Sequence, residues 1–115
     1  MPAKCYQPSN YLLGPAPQPA PPQTEDCLYL SVWTPFSKNG PAPGPLPVLV
    51  YIHGGWLQIG DALVDDKLDD PSELIAKAAA ERPFIIVSVA YRLNVFGYLA
   101  HEALLKEEGA ETTGN

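Results

Sequence analysis

The sequence predicts an α/β chain, a mostly parallel sheet built around a βαβ unit and left incomplete. Three observations lead there. Two short apolar runs, residues 48–52 and 84–91, are rich in β-branched and aromatic residues and almost uninterrupted, the pattern of strands covered on both faces. A helical segment lies between them. Twelve of the fourteen prolines precede residue 48, so the first 47 residues are mostly loop, because proline has no N–H for a ladder or a helix.

Each element has its own signal. Residues 27–34, Cys-Leu-Tyr-Leu-Ser-Val-Trp-Thr, are aromatic and β-branched with partial alternation and read as a strand. The Pro/Gly cluster at 40–47 separates this strand from the run at 48–52 and reads as a turn-rich connector. The helix opens with Asp70 as N-cap, Pro71 at the first helical position and Glu73 three residues after the cap. Leu74, Ile75, Ala78 and Ala79 make its apolar face, and Pro83 ends it. A second short helix is expected over 102–108. Residues 15–22, Pro-Ala-Pro-Gln-Pro-Ala-Pro-Pro, favour extended polyproline II. A stiff surface loop is the plainer reading of that stretch, and a ligand for an aromatic peptide groove the sharper one. A single βαβ unit offers two parallel strands, yet these strands ask for cover and neighbours on both sides. The chain is therefore expected to be a segment of a larger α/β domain.

Composition narrows the function. The chain has 115 residues, 46% of them hydrophobic and 17% charged, with a formal net charge of −6. A surface of that sign neutralises no phosphates, which disfavours nucleic acid and anionic membranes as partners. No apolar run approaches the roughly 18 residues of a membrane span. The N-terminus lacks the basic-then-apolar layout of a signal peptide, so either the chain is cytosolic or its true start lies upstream.

Chemistry points to one loop. His53-Gly54-Gly55-Trp56-Leu57-Gln58-Ile59-Gly60 follows the first buried strand, where open α/β sheets bind ligands. Two adjacent glycines allow a sharp turn that presents backbone N–H groups, a geometry suited to a developing oxyanion. The plainer reading is a tight turn that only reverses the chain. Gly55 and Gly60 have phosphate-loop spacing, but Asp61-Ala62 stands where Lys-Ser/Thr is required. None of Ser9, Ser31, Ser37, Ser72 and Ser88 sits in a G-x-S-x-G nucleophile elbow. His53 reads as a brace for the glycine turn and His101 as a solvated residue. No spacing suggests a metal. Asp61, Asp65, Asp66, Asp69 and Asp70 read as a solvated approach to the helix rather than a calcium loop. Cys5 and Cys27 are either a disulfide closing the Pro-rich loop 5–27, removing about 3 kcal/mol of unfolded-chain entropy, or two buried thiols. A bond would favour an oxidising compartment.

Three blocks carry a resemblance: Glu25-Asp26-Cys27-Leu28-Tyr29-Leu30-Ser31-Val32-Trp33-Thr34-Pro35, then Pro47-Val48-Leu49-Val50-Tyr51-Ile52-His53-Gly54-Gly55-Trp56, then Val87-Ser88-Val89-Ala90-Tyr91-Arg92-Leu93-Asn94-Val95-Phe96-Gly97-Tyr98-Leu99. Together, and in this order, they resemble the type-B carboxylesterase/lipase family, the cholinesterase-like branch of the α/β-hydrolases. The resemblance implies that residues 1–115 are the N-terminal part of such a domain, with the loop 5–27, the strand 27–34 and the βαβ unit 48–91 as its parts. It implies a serine carboxylic-ester hydrolase with no metal or organic cofactor, acting on small-molecule or lipid esters in a secreted or lumenal setting. It also implies a disulfide between Cys5 and Cys27 and an ion pair between Glu25 and Arg92. The oxyanion hole would use the backbone N–H groups of Gly55 and Trp56, or of Gly54 and Gly55. Many members carry a third glycine where this chain has Trp56. The triad Ser, Glu/Asp and His would come later than residue 115, so this chain alone is expected to be inactive and to need the remainder of its own domain. A non-catalytic cholinesterase-like adhesion or binding domain is the alternative.

Overall fold

The computed structural model describes residues 3–8, 22–35, 40, 44–62 and 70–106. The polyproline stretch 15–22 lies outside them, apart from Pro22, as do Asp65, Asp66, Asp69 and residues 107–108 of the second expected helix. The described chain falls into two compact units. One comprises Met1–Leu28, Gly54–Asp61 and Tyr91–Asn115, the other Tyr29–His53 and Ala62–Ala90.

The sheet unit carries the expected α/β organisation. Strands β3 (Leu30–Trp33), β4 (Val48–Ile52) and β5 (Ile85–Val89) form one sheet in the order β3-β5-β4. β4 and β5 run parallel, Val48 opposite Ile85 through Ile52 opposite Val89. Helix α1 (Ser72–Ala78) lies between them in sequence, which makes the βαβ unit. β3 pairs antiparallel with β5, Leu30 opposite Val89. Bonds from Ile85 N–H to the Pro47 carbonyl and from Ala90 N–H to the Tyr29 carbonyl extend the two ladders.

Burial departs from the sequence reading. β5 is central, and alternate residues Ile86, Ser88 and Ala90 are buried. Every residue of β4 is exposed, Ile52 to 68%, although its unbroken apolar run predicted cover on both faces. Among the described residues β4 is an edge strand, paired with β5 alone. β3 starts at Leu30 rather than 27, because Cys27 is bonded elsewhere and buried.

α1 buries Ile75, with Ala78 and Ala79 half-buried, while Leu74 of the expected face is exposed. Pro71 occupies the cap position, one residue later than the pattern indicated. Asp70 still caps the turn, since its Oδ1 accepts the Ser72 N–H at 2.9 Å. The helix closes at Ala78, whose carbonyl takes the Glu81 and Arg82 N–H groups, so the chain turns five residues ahead of Pro83. An open cleft between α1 and the end of β3 is lined by Trp33, Pro35, Ile75 and Ala79, among others. None of its lining residues is a carboxylate, imidazole or amine.

The second unit is held by cross-links rather than a large core. β1 (Lys4–Cys5) pairs parallel with β2 (Gln23–Thr24). Beside them, Cys5 and Cys27 are disulfide-bonded at 2.04 Å. Lys4 Nζ lies 3.2 Å from the largely buried Asp61 carboxylate. α2 (Asn94–Tyr98) was not foreseen, and where a helix over 102–108 was expected the described chain forms a 3-10 turn, Leu104–Lys106. Gly97 of α2 is buried, and a Cβ there would come within 2.6 Å of the Arg92 carbonyl carbon. Only glycine lets α2 fold back this closely on its own approach segment.

Candidate active site

The double-glycine turn is built by backbone that side chains rarely tolerate. Gly55 has φ 123°, and the next two residues, Trp56 and Leu57, both have φ 60°. An L-residue in the left-handed region costs about 1–2 kcal/mol. Such strain persists only where surrounding structure over-determines it. Here the turn is closed on itself, as the Gly55 carbonyl accepts the N–H groups of Gln58 (3.0 Å) and Ile59 (3.2 Å). A Cβ on Gly55 would run into the Ile59 main chain, 2.8 Å from its carbonyl carbon.

The Gln7 side chain and the Asn94 backbone then grip the turn from outside. Gln7 Oε1 accepts the Gly60 N–H at 3.1 Å, and Gln7 Nε2 donates to the Gly60 carbonyl at 3.0 Å and to the Cys5 carbonyl at 3.1 Å. Asn94 donates its backbone N–H to the Leu57 carbonyl at 2.7 Å and its Nδ2 to the Tyr6 carbonyl at 2.8 Å. Asn94 itself sits at φ 48°, a conformation that asparagine adopts more readily than most residues. The Tyr6 ring packs on Phe96 at 5.0 Å between centroids.

With its ends fixed, the turn leaves donors uncommitted. Among the described residues, the N–H groups of Gly55 and Trp56 make no hydrogen bond to protein. The Trp56 side chain is 92% exposed. Gly54 is outside the left-handed region, and a Cβ there would meet nothing within 4 Å.

The remaining sequence candidates separate. His53 is buried. His101 is exposed, and its Nδ1 accepts the Ala103 N–H at 3.1 Å, which ties it to the 3-10 turn. Glu25 and Arg92 meet, but not as the ion pair that the resemblance implied. The Arg92 guanidinium donates to the Glu25 main-chain carbonyl at 3.2 Å, and among the described residues the Glu25 carboxylate makes no ion pair with it. Both residues are exposed, where a paired carboxylate gains little over a hydrated one. No group of three His, Cys, Asp or Glu among the described residues could hold a metal, and no helix among them is long and apolar enough to cross a membrane.

Gln7 and Asn94 were missed by sequence reasoning. Their partners stand 53 and 88 residues away in the chain, and no local pattern carries such a contact. The one available hint was Gln7 lying two residues from Cys5.

The whole chain, residues 1–115, matches the profile of the carboxylesterase family. The chain belongs to that family. This carboxylesterase-family chain is 44% identical over 95 residues to a carboxylic ester hydrolase of Gibberella moniliformis, covering 80% of this chain and 16% of the relative. It is 39% identical over 112 residues to a para-nitrobenzyl esterase of Bacillus subtilis, covering 96% and 20% respectively. Among solved structures, a thermophilic PNB esterase superposes with a TM-score of 0.68 at 33% identity, covering 96% of this chain and 20% of that one. The chain thus spans between 16% and 20% of the length of these relatives.

Proposed function

We propose that this chain supplies the oxyanion-stabilising turn of a serine carboxylic-ester hydrolase. The observation that carries the reading is the run of N–H groups at Gly55 and Trp56, which like that of Leu57 make no hydrogen bond among the described residues, on a turn held through the Gly55 and Leu57 carbonyls and both polar groups of Gly60. A serine hydroxyl, deprotonated by a histidine, attacks the ester carbonyl carbon. Its oxygen takes up negative charge and accepts the two backbone bonds. The C–O bond to the alcohol then breaks, the histidine returns the proton to the leaving oxygen, and water hydrolyses the acyl-enzyme. Each such donor typically contributes about 10²–10³ in kcat. Trp56 replaces a glycine without costing a donor, because the backbone N–H remains. Its exposed indole narrows the space for the acyl group.

The chain contains no G-x-S-x-G, so the nucleophile is supplied by the rest of the domain, and residues 1–115 alone turn over no ester. The substrate class is a small-molecule or lipid carboxylic ester, in keeping with the esterase names of the relatives. The Cys5–Cys27 disulfide favours a secreted or lumenal compartment, where such bonds persist. The test is incubation of the complete gene product with 4-nitrophenyl acetate and, separately, with a fluorophosphonate. Ester turnover with covalent labelling of one serine is expected. A folded product that does neither overturns the reading in favour of a non-catalytic binding domain.

A further inference from the structure

We infer that Gln7 is a positioning residue for this turn, an inference that rests on the hydrolase reading above. The Gln7 carboxamide is engaged at both ends: Oε1 accepts the Gly60 N–H, and Nε2 donates to the Gly60 and Cys5 carbonyls. Its own backbone N–H is fixed by Gln23 Oε1 at 2.9 Å. Only a side chain that both donates and accepts across one edge matches both polar groups of Gly60 in this way. A carboxylate would face two carbonyl oxygens. An apolar side chain would leave three half-buried backbone groups unpaired.

The clasp matters because of what it holds closed. Gly55, Trp56 and Leu57 are all in the left-handed region, and two of them are not glycine. A turn this strained relaxes unless both ends are fixed. The near end continues from β4. The far end is Gly60, and Gln7 fixes it to a segment that the Cys5–Cys27 bond already anchors. If Gly60 is released, the strain resolves by rotating the peptides of residues 55–57. Those rotations swing the Gly55 and Trp56 N–H groups off the position where an oxyanion would sit. Gln7 touches neither substrate nor reacting atom. It acts through the turn.

The experiment uses the complete gene product with Gln7→Met and Gln7→Glu. Two quantities are measured, amide hydrogen exchange and ester hydrolysis from pH 5 to 8. For Gln7→Met, exchange of the hydrogen-bonded Gln58, Ile59 and Gly60 amides accelerates at least about tenfold while β5 amides keep wild-type rates, and kcat falls at least about tenfold with KM within about threefold. For Gln7→Glu, the ratio of variant to wild-type kcat is low at pH 8. It climbs towards pH 5, because a protonated carboxyl again offers one donor and one acceptor. Wild-type exchange and kcat in Gln7→Met, exchange that rises throughout the domain, or a Gln7→Glu ratio flat with pH each overturns the proposal. If the wild-type protein cleaves no ester, the hydrolase reading falls, and the exchange data alone decide whether Gln7 holds the turn.

Discussion

Replacing Gly55 by alanine tests the turn geometry most directly. At φ 123° the new residue occupies a region that L side chains avoid, at a cost of about 1–3 kcal/mol. Its Cβ would also stand 2.8 Å from both the carbonyl carbon and the Cγ1 of Ile59, closer than carbon atoms approach. The turn must therefore open. Opening breaks the bonds that Gln58 and Ile59 donate to the Gly55 carbonyl, each worth about 1 kcal/mol net. The strain is incurred if the turn stays closed and the bonds are lost if it opens, so the two do not add, and the local change is about 2 kcal/mol. The assay is native-state hydrogen exchange of the Gln58 and Ile59 amides. At 1.4 kcal/mol per factor of ten, protection is expected to fall by about thirtyfold. Gly54→Ala is the control, since its Cβ meets nothing within 4 Å, and it should leave the same amides within about twofold of wild type. If Gly55→Ala leaves them within about threefold of wild type, the positive-φ turn is not what holds the loop, and the inference about its N–H groups loses its basis.

Other perturbations probe separate features. Trp56→Gly removes an L-residue from φ 60°, a gain of about 1–2 kcal/mol set against about 0.5–1 kcal/mol of added backbone entropy; thermal unfolding should show no loss of stability, and esters of bulkier acids should gain in kcat/KM relative to acetate. Paired Cys5→Ser and Cys27→Ser changes open a loop with a sequence separation of 22, and about 3 kcal/mol should be lost in a urea titration. The Ser72 hydroxyl and N–H bonds to Asp70 hold its carboxyl below the ordinary carboxylate range; a folded-state pKa lower than the unfolded one stabilises above that range, so the contribution disappears as pH falls through the lowered value, and Asp70→Asn should flatten this acid limb of the stability profile. Val50→Lys places a charge on the exposed edge strand, and light scattering should report less self-association of the chain.

The bounds of β4 were legible to the residue, because its apolar run is bracketed by Pro47 and by the glycine turn, both local signals. Its burial was not legible. Composition states what a strand needs, while cover depends on what stands over it, and Val48–Ile52 are uncovered among the described residues. The double glycine marked the turn correctly. Its continuation through Trp56 and Leu57 in the left-handed region was hidden, because propensity assigns that region to Gly and Asn. The disulfide came from resemblance, since spacing left two thiols equally open. The Glu25–Arg92 contact came the same way, and the structure moved it onto a main-chain carbonyl. Gln7 and Asn94 were beyond reach, because tertiary contacts alone give them their roles.

The outer margin of β4 has a consequence for handling the polypeptide. Five consecutive uncharged, mostly branched residues present a row of peptide groups that no neighbour occupies among the described residues. Such a row recruits any like strand that meets it, a copy of itself included. Its reach is limited by its flanks: Pro45 and Pro47 have no N–H to donate upstream, and the double glycine follows His53 downstream. The adhesive length is therefore about 16 Å at 3.3 Å per residue, short enough for a single lysine to interrupt.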